Sequence, residues 1–289
     1  MIRIYEIRIF VFTYFFFYGF LFAQSDSSNF LQPVSDSILK EGVEIYECAI
    51  ASKVSSEFLI DKLSVEGIFG FITYKKSNSI HTVFLKGDIK NPEVRYTFSY
   101  SSPFNPENRN LDGEPCLLSE YEVSLNKMKS KILKLAKKRK SFFLNYSEIV
   151  LNPVFIQREN LTYVYLISST NDDSFIPLGN DYLLVFNEKA KLISKKKIHQ
   201  NLIEIPVGDS DTLKTDEALS SFHIHSELSS PFITATDVCT ILLNMENSKL
   251  ESHIVVSEEY VSFFFPLQKH LEIITKEEYE KMNKEEEQK

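Results

Sequence analysis

The chain has 289 residues, with 32 Lys and Arg against 40 Asp and Glu and a formal net charge of −8, so it lacks the basic footprint of a general nucleic-acid binder. Its 24 Phe and 14 Tyr supply apolar surface for one large core or two modest ones, which excludes a chain disordered throughout. Cys48, Cys116 and Cys239 are too few and too widely spaced for a disulfide-stapled fold; a Cys48–Cys116 bridge and separate buried thiols both stay open.

Residues 1–23 read as a signal peptide. Arg3 and Arg8 lead into an uncharged, Phe- and Tyr-rich run over 9–22, shorter than the roughly 20 residues of a bilayer-spanning helix. Ala23 followed by Gln24-Ser25-Asp26 suits cleavage, and no cysteine follows to carry a lipid. The expectation is an exported chain, periplasmic or extracellular, that starts at Gln24; the other reading is an uncleaved anchor. The mature chain would hold 30 Lys and Arg against 39 Asp and Glu, net −9, with no transmembrane segment.

From Asp36 the apolar positions Ile38, Leu39, Ile45, Tyr46, Ala49 and Ile50 recur at three and four, which predicts a helix with Asp36 near its cap. Residues 67–74, 80–86 and 93–100 read as strands. In the last, Val94, Tyr96, Phe98 and Tyr100 alternate with polar residues, as one buried face of an antiparallel sheet requires. Residues 101–115, with three prolines, a glycine and three asparagines, read as a loop or hinge. Ser119-Glu120-Tyr121-Glu122 has the capping-box pattern, and Tyr121, Leu125, Met128, Ile132 and Leu135 form one stripe of a helix running to about Lys140. Lys134, Lys137, Lys138, Arg139 and Lys140 crowd its end. They are either a solvated last turn that complements the helix dipole or a site for an anionic partner.

Beyond Phe143 the pattern turns to strands at 149–156, 161–168, 182–186 and 191–198. Asn187-Glu188-Lys189-Ala190 reads as a hairpin turn and Gly179-Asn180-Asp181 as a break. Residues 206–217 are a polar, acidic loop. Strands at 252–257, 260–265 and 271–275 precede a charged, helix-prone tail. The predicted class is α+β, mainly antiparallel sheet with a few helices, in two packed layers or domains. Residues 24–142 would form an N-terminal α+β region, 143–275 a β-rich domain and 276–289 a helical tail.

Candidate chemistry concentrates in residues 218–240. His223 and His225, two apart on a strand, send both imidazoles to one face. Thr234-Ala235-Thr236-Asp237 then opens an apolar run that reads as a helix, so strand, loop and helix start return a carboxylate to the imidazoles. The other reading makes His223 and His225 hydrogen-bonded imidazoles on the polar face of a strand and Asp237 the capping-box partner of Thr234. Four of the six histidines fall between 199 and 253, which draws His199 and His253 toward the same site, imidazole being the commonest neutral metal ligand. The expected cofactor is zinc. Cys239, with no basic neighbour in sequence, reads as a small buried residue rather than a nucleophile.

His223-Ile224-His225 and Thr234-Ala235-Thr236-Asp237 resemble the His-x-His and Ser-x-x-Asp pattern of the JAMM, or MPN, metallopeptidases. The resemblance implies His223, His225 and Asp237 as zinc ligands, Thr234 at the oxyanion-stabilising position, and a glutamate base upstream. Here eight residues rather than seven separate His225 from Thr234, Ser226 follows the second histidine, and Glu148, Glu159 and Glu204 are equally placed for the base. The chain as a whole resembles a group of uncharacterised exported bacterial proteins, through Gly179-Asn180-Asp181-Tyr182, Ile198-His199-Gln200-Asn201-Leu202, the two stretches above and His253-Ile254-Val255-Val256-Ser257. That resemblance implies no activity and hints that His199 and His253 belong with the central pair.

Overall fold

The computed structural model describes residues 28–138, 141–207 and 219–286. The signal-peptide reading, Arg139 and Lys140, and residues 208–217 of the acidic loop lie outside the described residues. The protein is α+β with mainly antiparallel sheets, as the sequence predicts.

Helix α1 spans Ser28–Lys62, well beyond the predicted turns in both directions. Its extra turns were hidden because the residues that continue the buried stripe past Ile45 and Cys48 are small or polar: Ala51 and Ser55 precede Leu59. Ser55 is buried at no cost in unmet polarity because its hydroxyl meets Tyr100 Oη at 2.7 Å. Next come β1 (Ile68–Lys76), β2 (Ser79–Asp88) and β3 (Asn91–Ser101), an antiparallel meander. The stretch read as loop 101–115 holds an edge strand, β4 (Arg109–Asp112), paired to β3, and β5 (Cys116–Leu117) follows it. An edge strand half open to solvent carries polar residues, which is why it reads as loop. Helix α2 (Glu120–Lys138) starts on the predicted cap: Ser119 N–H and Oγ both donate to Glu122 Oε2, at 2.8 and 2.7 Å.

After it, β6 (Val150–Arg158) pairs in parallel with β1, and β7 (Leu161–Ser169), β9 (Tyr182–Asn187) and β10 (Leu192–Lys197) extend the same sheet outward. The nine-stranded sheet has the order β10-β9-β7-β6-β1-β2-β3-β4, with β5 also on β3. Strands from both sides of the expected boundary at 142/143 therefore share one sheet. Two short strands that the sequence reading did not contain, β8 (Phe175–Gly179) and β11 (Leu202–Pro206), form a separate pair; Pro177 and Pro206 inside them mask the pattern. The last sheet has the order β12-β13-β14-β15, from β12 (Leu219–Ile224), β13 (Leu250–Val256), β14 (Tyr260–Phe265) and β15 (His270–Thr275). Helix α3 (Ala235–Ser248) connects the parallel pair β12 and β13, and α4 (Lys276–Glu286) ends the described chain.

Strict alternation in the large sheet separates two cores. Val164 and Leu166 of β7 face α2 with Leu125, Met128 and Ile132, whereas Tyr165 and Ile167 face α1 with Ile45 and Cys48. A third core lies between α1, α3 and the small sheet, around Val238, Ile241, Val255 and Phe264. The order of layers is thus α2, large sheet, α1 with α3, small sheet, with α4 against β14 and β15. The two middle helices touch at Gly42, where a Cβ would lie 2.6 Å from Val238 Cβ and 2.9 Å from Ala235 O. That approach holds the first turn of α3 against α1. No helix among the described residues is long and apolar enough to cross a membrane.

Candidate metal centre

Alternation on β12 decides which way the histidine pair points. Phe222 and Ile224 are exposed, while Ser221, His223 and His225 turn inward, on the face that Val255 presents to the α3 core. His225 lies one residue past the strand yet keeps the ladder through its N–H to Val256 O at 2.9 Å. Thr234 then caps α3. Asp237 Oδ2 accepts from Thr234 N–H and from Thr234 Oγ1, each at 2.8 Å, and Asp237 N–H returns a bond to Thr234 Oγ1 at 3.2 Å. The capping box and the candidate ligand are one residue, because the carboxylate has two oxygens. Oδ1 points away from the cap, is buried, and among the described residues has no well-formed hydrogen bond, only the His199 Nε2 atom 3.3 Å away.

His199 arrives from the loop between β10 and β11. Asp181 seats it: the His199 N–H and Nδ1 both lie on Asp181 Oδ1, at 3.0 and 2.8 Å. Gly179 makes room, since its φ of +75° is left-handed and a Cβ there would stand 2.5 Å from Asn201 O and 3.2 Å from His199 Cβ. The ligand atoms of His199, His223, His225 and Asp237 lie within 4.8 Å of one another, and all four residues are buried. His225 Nε2 is 2.9 Å from the Nε2 atoms of both His199 and His223. Asp237 Oδ1 is 3.3 Å from His199 Nε2, and Oδ2 is 3.7 Å from His225 Nε2. Ligand atoms around a tetrahedral zinc, at about 2.0–2.1 Å from the ion, stand about 3.3–3.4 Å apart.

Proton bookkeeping makes this fit specific. Nδ1 of His199 faces a carboxylate and Nδ1 of His225 faces the Ser230 carbonyl at 2.9 Å, so each of those nitrogens carries a proton. Nδ1 of His223 faces Nε2 of His253 at 3.0 Å, and Nδ1 of His253 faces Ser221 Oγ at 2.7 Å, so protons on both Nδ1 atoms satisfy that chain as well. Neutral imidazoles in this arrangement bring three bare Nε2 lone pairs together. With protons on every Nδ1 a cation between the three Nε2 atoms removes the repulsion, and each remaining N–H has the acceptor that metal-bound histidines use; with the Ser221–His253–His223 chain reversed, His223 Nε2–H instead donates to His225 Nε2.

Electrostatics place the metal-free proton. Burial pushes His253 down to about 3 and His223 down to about 4, and it lowers His225 too. For His199 burial is again the largest single influence, but Asp237 and Asp181 together outweigh it and raise the group to about 11. Burial works against the Asp237 carboxylate, yet His199 and the other imidazoles hold its pKa well below the ordinary value. One imidazolium between two carboxylates leaves a buried net charge of −1. A divalent ion in its place, with neutral histidines, gives zero.

Of the residues singled out in the sequence, the structure brings His199, His223, His225 and Asp237 together and places Thr234 on the cap. His253 stands behind His223, both of its ring nitrogens already engaged. Glu148, Glu159 and Glu204 are all exposed, and the carboxylates that shift the four buried histidines are Asp237 and Asp181. Cys48 and Cys239 are buried free thiols pushed upward by burial, and Cys116 is exposed and free, so the Cys48–Cys116 bridge is not formed. Sequence reasoning missed Asp181, Ser221 and Ser230. Only Asp181 left a signal, an acidic residue in a Gly-Asn-Asp turn. No protein-family model matches the chain, and a search of curated proteins returns no match.

Proposed function

We propose that His199, His223, His225 and Asp237 hold one zinc ion as a closed, structural centre in an exported protein. The observation that carries the reading is the convergence of three Nε2 atoms beside a buried carboxylate oxygen, while every opposite Nδ1 has its own hydrogen-bond partner. Imidazole with one carboxylate suits zinc, and four protein ligands, all buried, are the complement of a structural site. The bound ion would fasten β12, the start of α3 and the β10–β11 loop to one point. Export rests on residues 1–23, and an intact mass starting at Gln24 in envelope or medium fractions tests it.

The test of the centre is elemental analysis of the purified chain, with about one zinc per chain expected and none in the paired His223→Ala, His225→Ala variant. Metal-free protein that takes up no zinc, iron, manganese or copper on titration would overturn the reading. Iron or manganese in stoichiometric amount would keep the ligands and replace the ion.

A JAMM-like peptidase is the second reading. Its support is the order of parts: a His-x-His strand, a helix opened by Thr-x-x-Asp, and a following strand parallel to the first. It needs a free carboxylate beside an open coordination position, whereas Asp181 and Asp237 are both committed. Zinc-dependent cleavage of a mixed peptide substrate, lost in the paired histidine variant, would put this reading first.

A further inference from the structure

We propose that the groove between α2 and β10 docks the chain on an anionic phospholipid surface. On α2, Lys127, Lys131, Lys134 and Lys138 recur at four, three and four, so they form one stripe, roughly a third of a turn from the buried Leu125, Met128 and Ile132. The sequence shows this as a crowded helix end. What it does not show is that β10, some sixty residues later, runs alongside and adds to it.

Lys191 and Leu192 close a groove of about 400 Å³ with Lys131, Lys134, Leu135 and Lys138. Lys195 and Lys197 pair with Leu184 and Tyr182, which belong to the core under α2, so their side chains leave on the same face of the sheet. Lys131 Nζ donates to Ala190 O at 2.6 Å and Lys195 Nζ lies 3.4 Å from the centre of the Phe142 ring; neither contact neutralises a charge. Among the described residues the lysines and arginines in ion pairs are Lys62, Lys75 and Arg158, all outside this groove. Like charges four apart on a helix repel, and Glu188, in the turn that leads into β10, forms no ion pair with them among the described residues. The positive field is thus left open to an external anion.

The choice of anion follows from the lining. Leu135 and Leu192 give the groove an apolar floor under a lysine rim. Lysines act as mobile point charges, whereas recognition of a nucleic acid draws on arginine forks and exposed aromatic faces, and the described part of this groove contributes neither. Four to eight basic residues beside apolar side chains match a surface of anionic headgroups.

Cosedimentation of the full chain with phosphatidylcholine vesicles, with and without phosphatidylglycerol, tests the assignment. We expect binding only to the anionic vesicles, and its loss as salt rises from about 0.1 M to about 1 M. The triple variant Lys134→Gln, Lys138→Gln, Lys191→Gln should bind roughly a hundredfold more weakly. Among the described residues these three side chains make no hydrogen bond or ion pair, and an unchanged melting temperature confirms that the loss is not unfolding. The charge-matched control Lys53→Gln, Lys90→Gln, Lys249→Gln should bind as the parent does. Equal binding to both vesicles, equal loss in the control, retention in the groove variant, or binding of a single-stranded oligonucleotide in place of vesicles would each overturn it. So would displacement by inorganic phosphate beyond that by chloride of equal ionic strength, which would mark a site for free phosphate.

Discussion

Asp237 caps α3 with one oxygen and turns the other toward the proposed ion, and its variants separate the two roles. Thr234→Ala removes the cap's hydroxyl and should cost about 1 kcal/mol of stability while zinc is retained. Asp237→Asn keeps an oxygen for the cap but removes the charge from the centre, so zinc affinity should fall by more than about tenfold with a smaller loss of stability. Asp181→Asn touches no ion; it weakens the hold on His199, and the usual effect of such a partner is about 10–100-fold in affinity. Competition with a chelator of known affinity measures all three, and an Asp181→Asn protein that binds zinc as the parent does would remove the seating role. The buried histidines also set a pH dependence for the metal-free form. Because His223 and His253 are pushed down to about 4 and about 3, the unfolded chain, with histidines near about 6.5, takes up protons first as pH falls. Stability should therefore drop between about pH 6.5 and about pH 3–4. His199, raised to about 11, has the opposite sign: its contribution is complete below about 6.5 and is lost as pH rises through about 11. Chelator-treated protein should melt highest near neutrality, and His253→Gln should flatten the acid arm; an unchanged arm would assign it to carboxylates elsewhere.

At the scale of elements the centre depends on how α3 is held. The strand fixes two imidazoles by alternation, but the carboxylate reaches them only because the first turn of α3 is pressed against α1 at Gly42. A methyl group there meets Val238 and the Ala235 carbonyl, so Gly42→Ala should destabilise by about 1–3 kcal/mol and displace the cap along with it. Urea unfolding gives the first quantity and zinc affinity the second. A fully stable Gly42→Ala protein would mean that α3 slides without harm. Gly179→Ala acts on the other arm: it strains a left-handed backbone and pushes on Asn201 and His199, so both stability and zinc binding should fall together.

For the whole molecule, the candidate ligands come from three separated stretches, near 199, 223–225 and 237, with Asp181 behind the first. Binding at one point therefore ties the two-stranded pair, the small sheet and the central helices into a common unit. With zinc at about 100 times its dissociation constant the gain is about 2.7 kcal/mol, and for a chain of this size removal should lower the melting temperature by about 4–5 °C. Hydrogen exchange should show the loss of protection in β12, in β13 and around residues 198–206, leaving the core of the large sheet protected. A uniform loss across both sheets would instead indicate that the molecule opens as one body.

The local parts were legible in the residues alone. Alternation in β3 and β12, the capping boxes at Ser119 and Thr234, and the stripe of α2 depend on neighbours within a few residues, and those neighbours are adjacent in the chain. Residue spacing alone likewise put His223, His225 and Asp237 in one candidate group. Relations between distant segments emerge only once the chain is folded. Ala51 and Ser55 look like interruptions until Tyr100 and the large sheet cover them. The strands with Pro177 and Pro206 look like loops until each finds the other. His199 and His253 are indistinguishable in sequence, yet one is turned by Asp181 to face the carboxylate and the other is held behind His223 by Ser221, because a side chain's direction is fixed by the register and packing of strands that no local pattern encodes.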